Sequence, residues 1–224
     1  MQLNQKSRGN NGYQNFLFPL SYLYISQGED GDYSHKGTYA MDFIGYDANG
    51  RVYNCPYYAP FDCHCVAIWG SENPMVVWQS DEKVNFIDGA FDYACIGFVH
   101  DDNVLSFNVG DTRNQGDIIG HTGTYGNVTG DHVHIEVAKG EYAGYYQNNY
   151  GIYTLRNAYH LYNAMGVNDT VLVSEHTGGY NWRYFSETPT PPIPTKKRKN
   201  FPWVLYARKI RNTWHLMLSI LFLY

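Results

Sequence analysis

Residues 130–137 read Gly-Asp-His-Val-His-Ile-Glu-Val, an unbroken alternation of polar and apolar side chains. A period of two marks a strand with one buried face, because successive side chains point to opposite sides of a sheet. Val133, Ile135 and Val137 need a core, while His132, His134 and Glu136 share the other face. The chain must therefore build a β framework around this strand. Other short β-type runs agree: MVVWQ (75–79), VNFI (84–87), ACIGFVH (94–100) and VLSFNV (104–109). Asp47-Ala48-Asn49-Gly50 and Ile87-Asp88-Gly89 read as turns between them. Helical periodicity emerges only in 155–165, where Leu155, Ala158, Tyr159 and Tyr162 fall at i, i+3, i+4 and i+7. A short VLV run (171–173) follows it.

Charge divides the 224-residue chain. Seven Lys/Arg and no acid lie from Lys196 onward, leaving nine bases against 21 acids before it; the body stands at −12 and the tail at +7. An acidic body argues against tracking nucleic-acid phosphates, which requires a basic face, so no nucleic-acid partner is expected. The stretch 186–195 holds four of the nine prolines and predicts an extended linker. Beyond it, Lys196-Lys197-Arg198-Lys199 and an apolar run of 11 residues (214–224) suit attraction to an anionic membrane or wall polymer, or simply a disordered or partner-packed terminus. Eleven residues fall short of the ~20 a spanning helix needs.

The four cysteines allow three pairings if oxidised, but a chain of this length needs no staple. Cys63-His64-Cys65 spaces its thiols too closely for the usual zinc pairs, and in a strand the two cysteines share one face; they are expected as core thiols. The apolar run 16–25 follows Lys6 and Arg8 but contains Pro19 and precedes no small-x-small cleavage site, so it predicts the opening strands of the domain rather than a clear signal peptide.

The chemistry-bearing residues are histidines in defined settings. His132 and His134, at i and i+2 on a strand, can both reach one metal, or one can bind it while the other handles protons. The Gly/Thr-rich segment 118–130 leads into them and allows close backbone approach to a ligand. Upstream lie Ser34-His35-Lys36-Gly37-Thr38-Tyr39-Ala40-Met41-Asp42-Phe43 and Gly97-Phe98-Val99-His100.

In these three elements, taken in this order, the sequence resembles the lysostaphin-like (LytM-type) zinc endopeptidases, in particular their phage-lysin-like members. The resemblance covers roughly residues 16–140 and implies the antiparallel β-sheet peptidase fold of that family, a duplicated hybrid motif, followed here by a short α-containing annex. It implies His35, Asp42 and His134 as ligands of one zinc ion, and His100 and His132 as the catalytic pair that moves protons. Asp131, where many members have proline, and Tyr125, where a small residue is usual, bear on substrate fit. Two imidazoles and a carboxylate leave a fourth zinc position open, the pattern of a catalytic site. The implied substrate is the peptide of bacterial peptidoglycan. The protein would work from the host cytoplasm outward at lysis, or from a virion tail. Rival expectations are a catalytically silent wall-binding or partner-activating member, and a structural tail component.

His121 is expected to line the cleft or face solvent, and Glu136 to support the ligands or lie at the surface. His64, His160, His176 and His215 carry no motif. Tyr142, Tyr145, Tyr146, Tyr150 and Tyr153 either bind sugar or wall polymer or simply suit half-buried strands. The expected organisation is an N-terminal extension (1–15), the zinc endopeptidase domain (16–140), the annex (141–187), the proline linker (188–195) and the basic aromatic tail (196–224).

Overall fold

The computed structural model describes residues 7–47 and 49–166. Seven strands form one sheet: β1 (Ile25–Gln27), β2 (Met41–Phe43), β3 (Cys63–Trp69), β4 (Met75–Ser80), β5 (Ala94–Val99), β6 (Thr112–Arg113) and β7 (Val133–Lys139). Their spatial order is β1-β2-β7-β5-β4-β3-β6, and every neighbouring pair is antiparallel. The architecture is therefore mainly antiparallel β, as expected. A hairpin of β8 (Tyr145–Gln147) and β9 (Tyr153–Leu155) and one short helix, α1 (Leu161–Met165), follow the sheet.

Strand β7 lies between β2 and β5 and is hydrogen-bonded along both edges. Val133, Ile135 and Val137 face the larger core, with Val76, Trp78, Ile96 and Phe98 from neighbouring strands. Burying side chains of this size contributes about 1.5–3 kcal/mol each. The opposite face carries a smaller cluster of Met75, Val77, Cys95, Val99, Ala138 and Leu155. His132, His134 and Glu136 alternate onto that second side.

Four expectations need correction. The run 16–25 is core but mostly not strand: Phe16, Leu17, Phe18, Leu20 and Leu23 are buried, yet only Ile25 joins β1. Pro19 supplies no N–H, and the segment bonds piecemeal, accepting from Tyr58 N at the Pro19 carbonyl. Residues 104–109 begin with a single 3₁₀ turn, Val104–Ser106, not a strand. Here the Asp101 carboxylate accepts from Asn103 N (2.7 Å) and Asp111 from Asn108 N (3.0 Å), local bonds that compete with a ladder. In 84–87 only Val84–Asn85 is strand. The helix predicted over 155–165 shrinks to Leu161–Met165, because Leu155 ends β9, with its N–H bonded to Glu136, and Asn157 adopts a positive φ of 57°. The run 171–173, the proline linker, the tail, His176 and His215 lie outside the described residues.

All four cysteines are free and buried. Burial pushes the thiols up, Cys55 and Cys65 to about 11, Cys95 to about 12 and Cys63 well above its ordinary value. A thiol reagent at pH 8 should therefore leave the native protein unmodified and label four groups after denaturation. Rapid labelling of the folded chain would contradict this placement.

Candidate metal centre

Antiparallel register sets His134 directly opposite Asp42 on β2 and opposite Val99 on β5. Cross-strand partners point to the same face, so a residue 92 positions away becomes an immediate neighbour. His35 reaches the same point from the turn before β2, where Thr38 donates its hydroxyl to the His35 carbonyl (2.9 Å). The His35 Nδ1 bonds the Gly28 carbonyl (3.0 Å), which leaves Nε2 aimed at the centre.

The three inward atoms form a nearly equilateral triangle. His35 Nε2 lies 3.1 Å from Asp42 Oδ1 and 3.1 Å from His134 Nδ1, and His134 Nδ1 lies 3.0 Å from Asp42 Oδ1. Bonds of about 2.0–2.1 Å in a tetrahedral shell put neighbouring ligand atoms about 3.3 Å apart. The donor set and its spacing thus fit a zinc-sized ion. It is also the one His/Cys/Asp/Glu group of metal-ligand geometry among the described residues.

Burial by itself would raise the Asp42 pKa, but its bonds to His134 and His35 prevail and hold the carboxyl well below the usual range. Burial likewise opposes charge on His134, yet Asp42 and Glu136 push that ring up to about 10. A metal binding here competes with a proton.

Glu136 is buried at 2% exposure, so the surface alternative for it does not hold. Its Oε2 accepts from the Thr154 hydroxyl (2.8 Å) and Leu155 N (2.8 Å), while Oε1 has no hydrogen bond and faces His134 Nε2 at 3.5 Å. A carboxylate behind a ligating imidazole fixes its orientation and raises its basicity. Glu136→Gln keeps the shape but removes the charge, and zinc affinity should fall by roughly 10–100-fold. Competition against a chromogenic chelator measures it; unchanged affinity would reduce Glu136 to a packing residue.

Two further imidazoles flank the triangle. His100 Nδ1 sits 2.9 Å from the Tyr125 carbonyl and His132 Nδ1 2.7 Å from the Gly130 carbonyl. A carbonyl only accepts, so each neutral ring carries its proton on Nδ1 and has a bare Nε2. Their ring centroids are 4.6 Å apart, and His132 Nε2 is 3.7 Å from Asp42 Oδ2. Burial lowers the His100 pKa to about 4, overriding the Tyr125 bond, so this ring is neutral at pH 7. His100 also holds a φ of 83°, a left-handed conformation that costs a side-chain-bearing residue about 1–3 kcal/mol.

The Gly/Thr-rich loop holds this corner together. Gly123 exchanges two backbone bonds with His132 (3.1 Å each), and a Cβ on it would lie 2.3 Å from the His100 carbonyl oxygen. Only glycine permits that approach. Asp131 accepts from the Thr122 hydroxyl (2.7 Å) and Asn54 N (3.0 Å), tying the loop to the strand entrance. Asp101 accepts from His121 N (2.7 Å), and Asp102 from Thr124 N (2.8 Å). His121 is half-exposed and not part of the triangle. His64 and His160 pair elsewhere, with Asp81 (2.7 Å) and Glu29 (2.6 Å).

Two clefts of about 560 and 520 Å³ meet here, and Ser34, His100, Asn127 and His134 line both. The second runs toward Trp69, Tyr145 and Tyr153. Sequence reasoning singled out the two tyrosines but not Trp69, whose signal was its place at the end of a strand otherwise read for its cysteines. It also missed Asn148, whose amide donates to the Lys36 and Gly37 carbonyls (2.9 and 3.2 Å) beside His35. Tyr150 packs over Gly37, where a Cβ would lie 2.8 Å from the ring and the φ of 71° separately disfavours a side chain.

No protein-family model matches the chain. It is 38% identical over 178 residues to Morphogenesis protein 1 of Bacillus phage B103, an alignment spanning 79% of this chain and 46% of that protein. The chain thus spans about half the length of this curated relative. Among solved structures it is similar to a zinc-containing peptidase from Vibrio cholerae, with 20% identity, 56% of this chain and 37% of that one covered, and a TM-score of 0.41. It is also similar to the catalytic domain of lysostaphin from Staphylococcus simulans, with 21% identity, 58% and 82% covered, and a TM-score of 0.35. For a variant of the catalytic domain of the prophage-encoded protein EnpA from Enterococcus faecalis the values are 16%, 55% and 85%, and 0.39.

Proposed function

We propose that this chain is a zinc-dependent endopeptidase that hydrolyses peptide bonds in bacterial peptidoglycan. The observation that carries the reading is the His35, Asp42, His134 triangle of 3.0–3.1 Å sides, flanked by two imidazoles with bare Nε2 atoms. The ordered resemblance of these elements to the lysostaphin-like endopeptidases supports the choice of substrate.

When bound, zinc would supply Lewis acidity, polarising a peptide carbonyl and acidifying a water molecule. His35, Asp42 and His134 would hold it, through Nε2, Oδ1 and Nδ1. His100 or His132 accepts the water's proton at Nε2 and delivers one to the leaving amine. Once protonated, either ring also stabilises negative charge developing on the carbonyl oxygen. The backbone carbonyls of Tyr125 and Gly130 keep both rings in the tautomer this requires.

The 38% identical relative is a phage protein named for morphogenesis, which supports a phage-associated role. That name also supports the second reading, a structural component whose site is silent. Purified zinc-loaded protein incubated with isolated cell walls separates the two. New amino termini seen by mass spectrometry, and lost with chelator, are expected. Walls left intact by folded, zinc-loaded protein would favour the silent reading.

A further inference from the structure

We propose that the cleft beside the metal centre is a saccharide subsite, in which the exposed rings of Tyr145 and Tyr153, backed by Trp69, pack against an N-acetylhexosamine ring of the glycan that bears the cleaved peptide. The choice of this sugar rests on the peptidoglycan reading; the aromatic corner itself does not.

Trp69 and Tyr145 lie parallel, 4.0 Å between centroids with 11° between planes, and Tyr153 meets them edge-on at 6.0 and 5.9 Å. Trp69 is anchored against the smaller apolar cluster, so it is a rigid base. Tyr145 and Tyr153 remain 41% and 51% exposed, contributed by the two facing strands of the β8–β9 hairpin. Rings held in place while open to water lose little conformational entropy on meeting a ligand.

The opposite wall is of another character. Ser71, Glu72, Asn73 and Asn127 offer hydroxyl, carboxylate and amide groups. Asn73 Oδ1 accepts from Asn127 N at 2.6 Å, which fixes that side. Glu72 forms no ion pair among the described residues. A pyranose presents an apolar C–H face and a rim of hydroxyls, and so matches both walls at once. An aliphatic peptide side chain would strand the polar wall without partners. A nucleotide would bring phosphate toward Glu72 and a body of charge −12. The cleft's 520 Å³ falls within the roughly 300–1,000 Å³ of small-ligand sites, and it continues to His100 and His134. A sugar in the corner would therefore hold its attached peptide along the line to the metal centre.

The test titrates the full chain with an N-acetylglucosamine trimer, followed by calorimetry and tryptophan fluorescence. Saturable, zinc-independent binding is expected, weakened about tenfold in Tyr153→Ala, the loss of one aromatic contact of about 1.4 kcal/mol. Glu72→Ala, on an exposed loop, provides a second variant that leaves the aromatic corner in place, and it too should weaken binding. Absence of saturable binding, or binding indifferent to both variants, overturns the proposal. A parallel assay compares cross-linked muropeptides with and without their disaccharide. Faster cleavage of the sugar-bearing form, lost in Tyr153→Ala, supports the subsite. Equal cleavage sinks the subsite while leaving the peptidase intact. If neither is cut but the trimer binds through Tyr153, the subsite stands and the peptidase reading falls.

Discussion

Alanine at His134 is expected to take zinc binding and wall cleavage below detection and to destabilise the metal-free protein by about 3–5 kcal/mol. The ring does two jobs. It gives Nδ1 to the triangle with His35 and Asp42, and its Nε2 side lies against Glu136. Losing a direct ligand must cost more than the roughly 100-fold carried by outer partners. Its removal also leaves two largely buried carboxylates, Asp42 and Glu136, on one face with no cation between them. Metal analysis after dialysis, denaturant unfolding and product detection on isolated walls measure the three effects. Retention of stoichiometric zinc by His134→Ala would refute the assignment of the triangle.

Replacing His100 or His132 should give the complementary pattern: zinc is retained, while the cleavage rate falls by about 10²–10⁴-fold, the usual contribution of a positioned proton-transfer group. The double variant should lose less than the product of the two, since in the proposed mechanism the rings serve one proton path. His100 adds a test of its conformation. At φ 83° a Cβ is disfavoured, so His100→Gly should be more stable than His100→Ala by about 1 kcal/mol, opposite to the ordinary order of the two residues. Both variants should show the same fall in cleavage rate, about 10²–10⁴-fold. A less stable glycine variant would show that the left-handed backbone carries no strain.

Local alternation made β7 legible in the sequence, because a period of two needs no knowledge of the rest of the chain. The pairing of His134 with Asp42 was not readable that way. It depends on register between strands 92 residues apart, and only the resemblance to a family suggested it. Glu136 shows the opposite failure: its alternation gave the right face, but its burial depends on the β8–β9 hairpin folding back to donate from Thr154 and Leu155. Two of the misread segments share one cause. At 104–109 and 155–160, side chains such as Asp101 and Glu136 bond backbone N–H groups and override the apolar pattern.

The hairpin that follows the sheet grips the centre at two points. Asn148 and Tyr150 hold the backbone beside His35, while Thr154 and Leu155 hold the carboxylate behind His134. Anyone grafting this site onto another scaffold would thus have to transplant the chain through Leu155. A cassette ending at residue 140 would carry all five site residues, yet leave one ligand's loop unclamped and another's carboxylate without its donors.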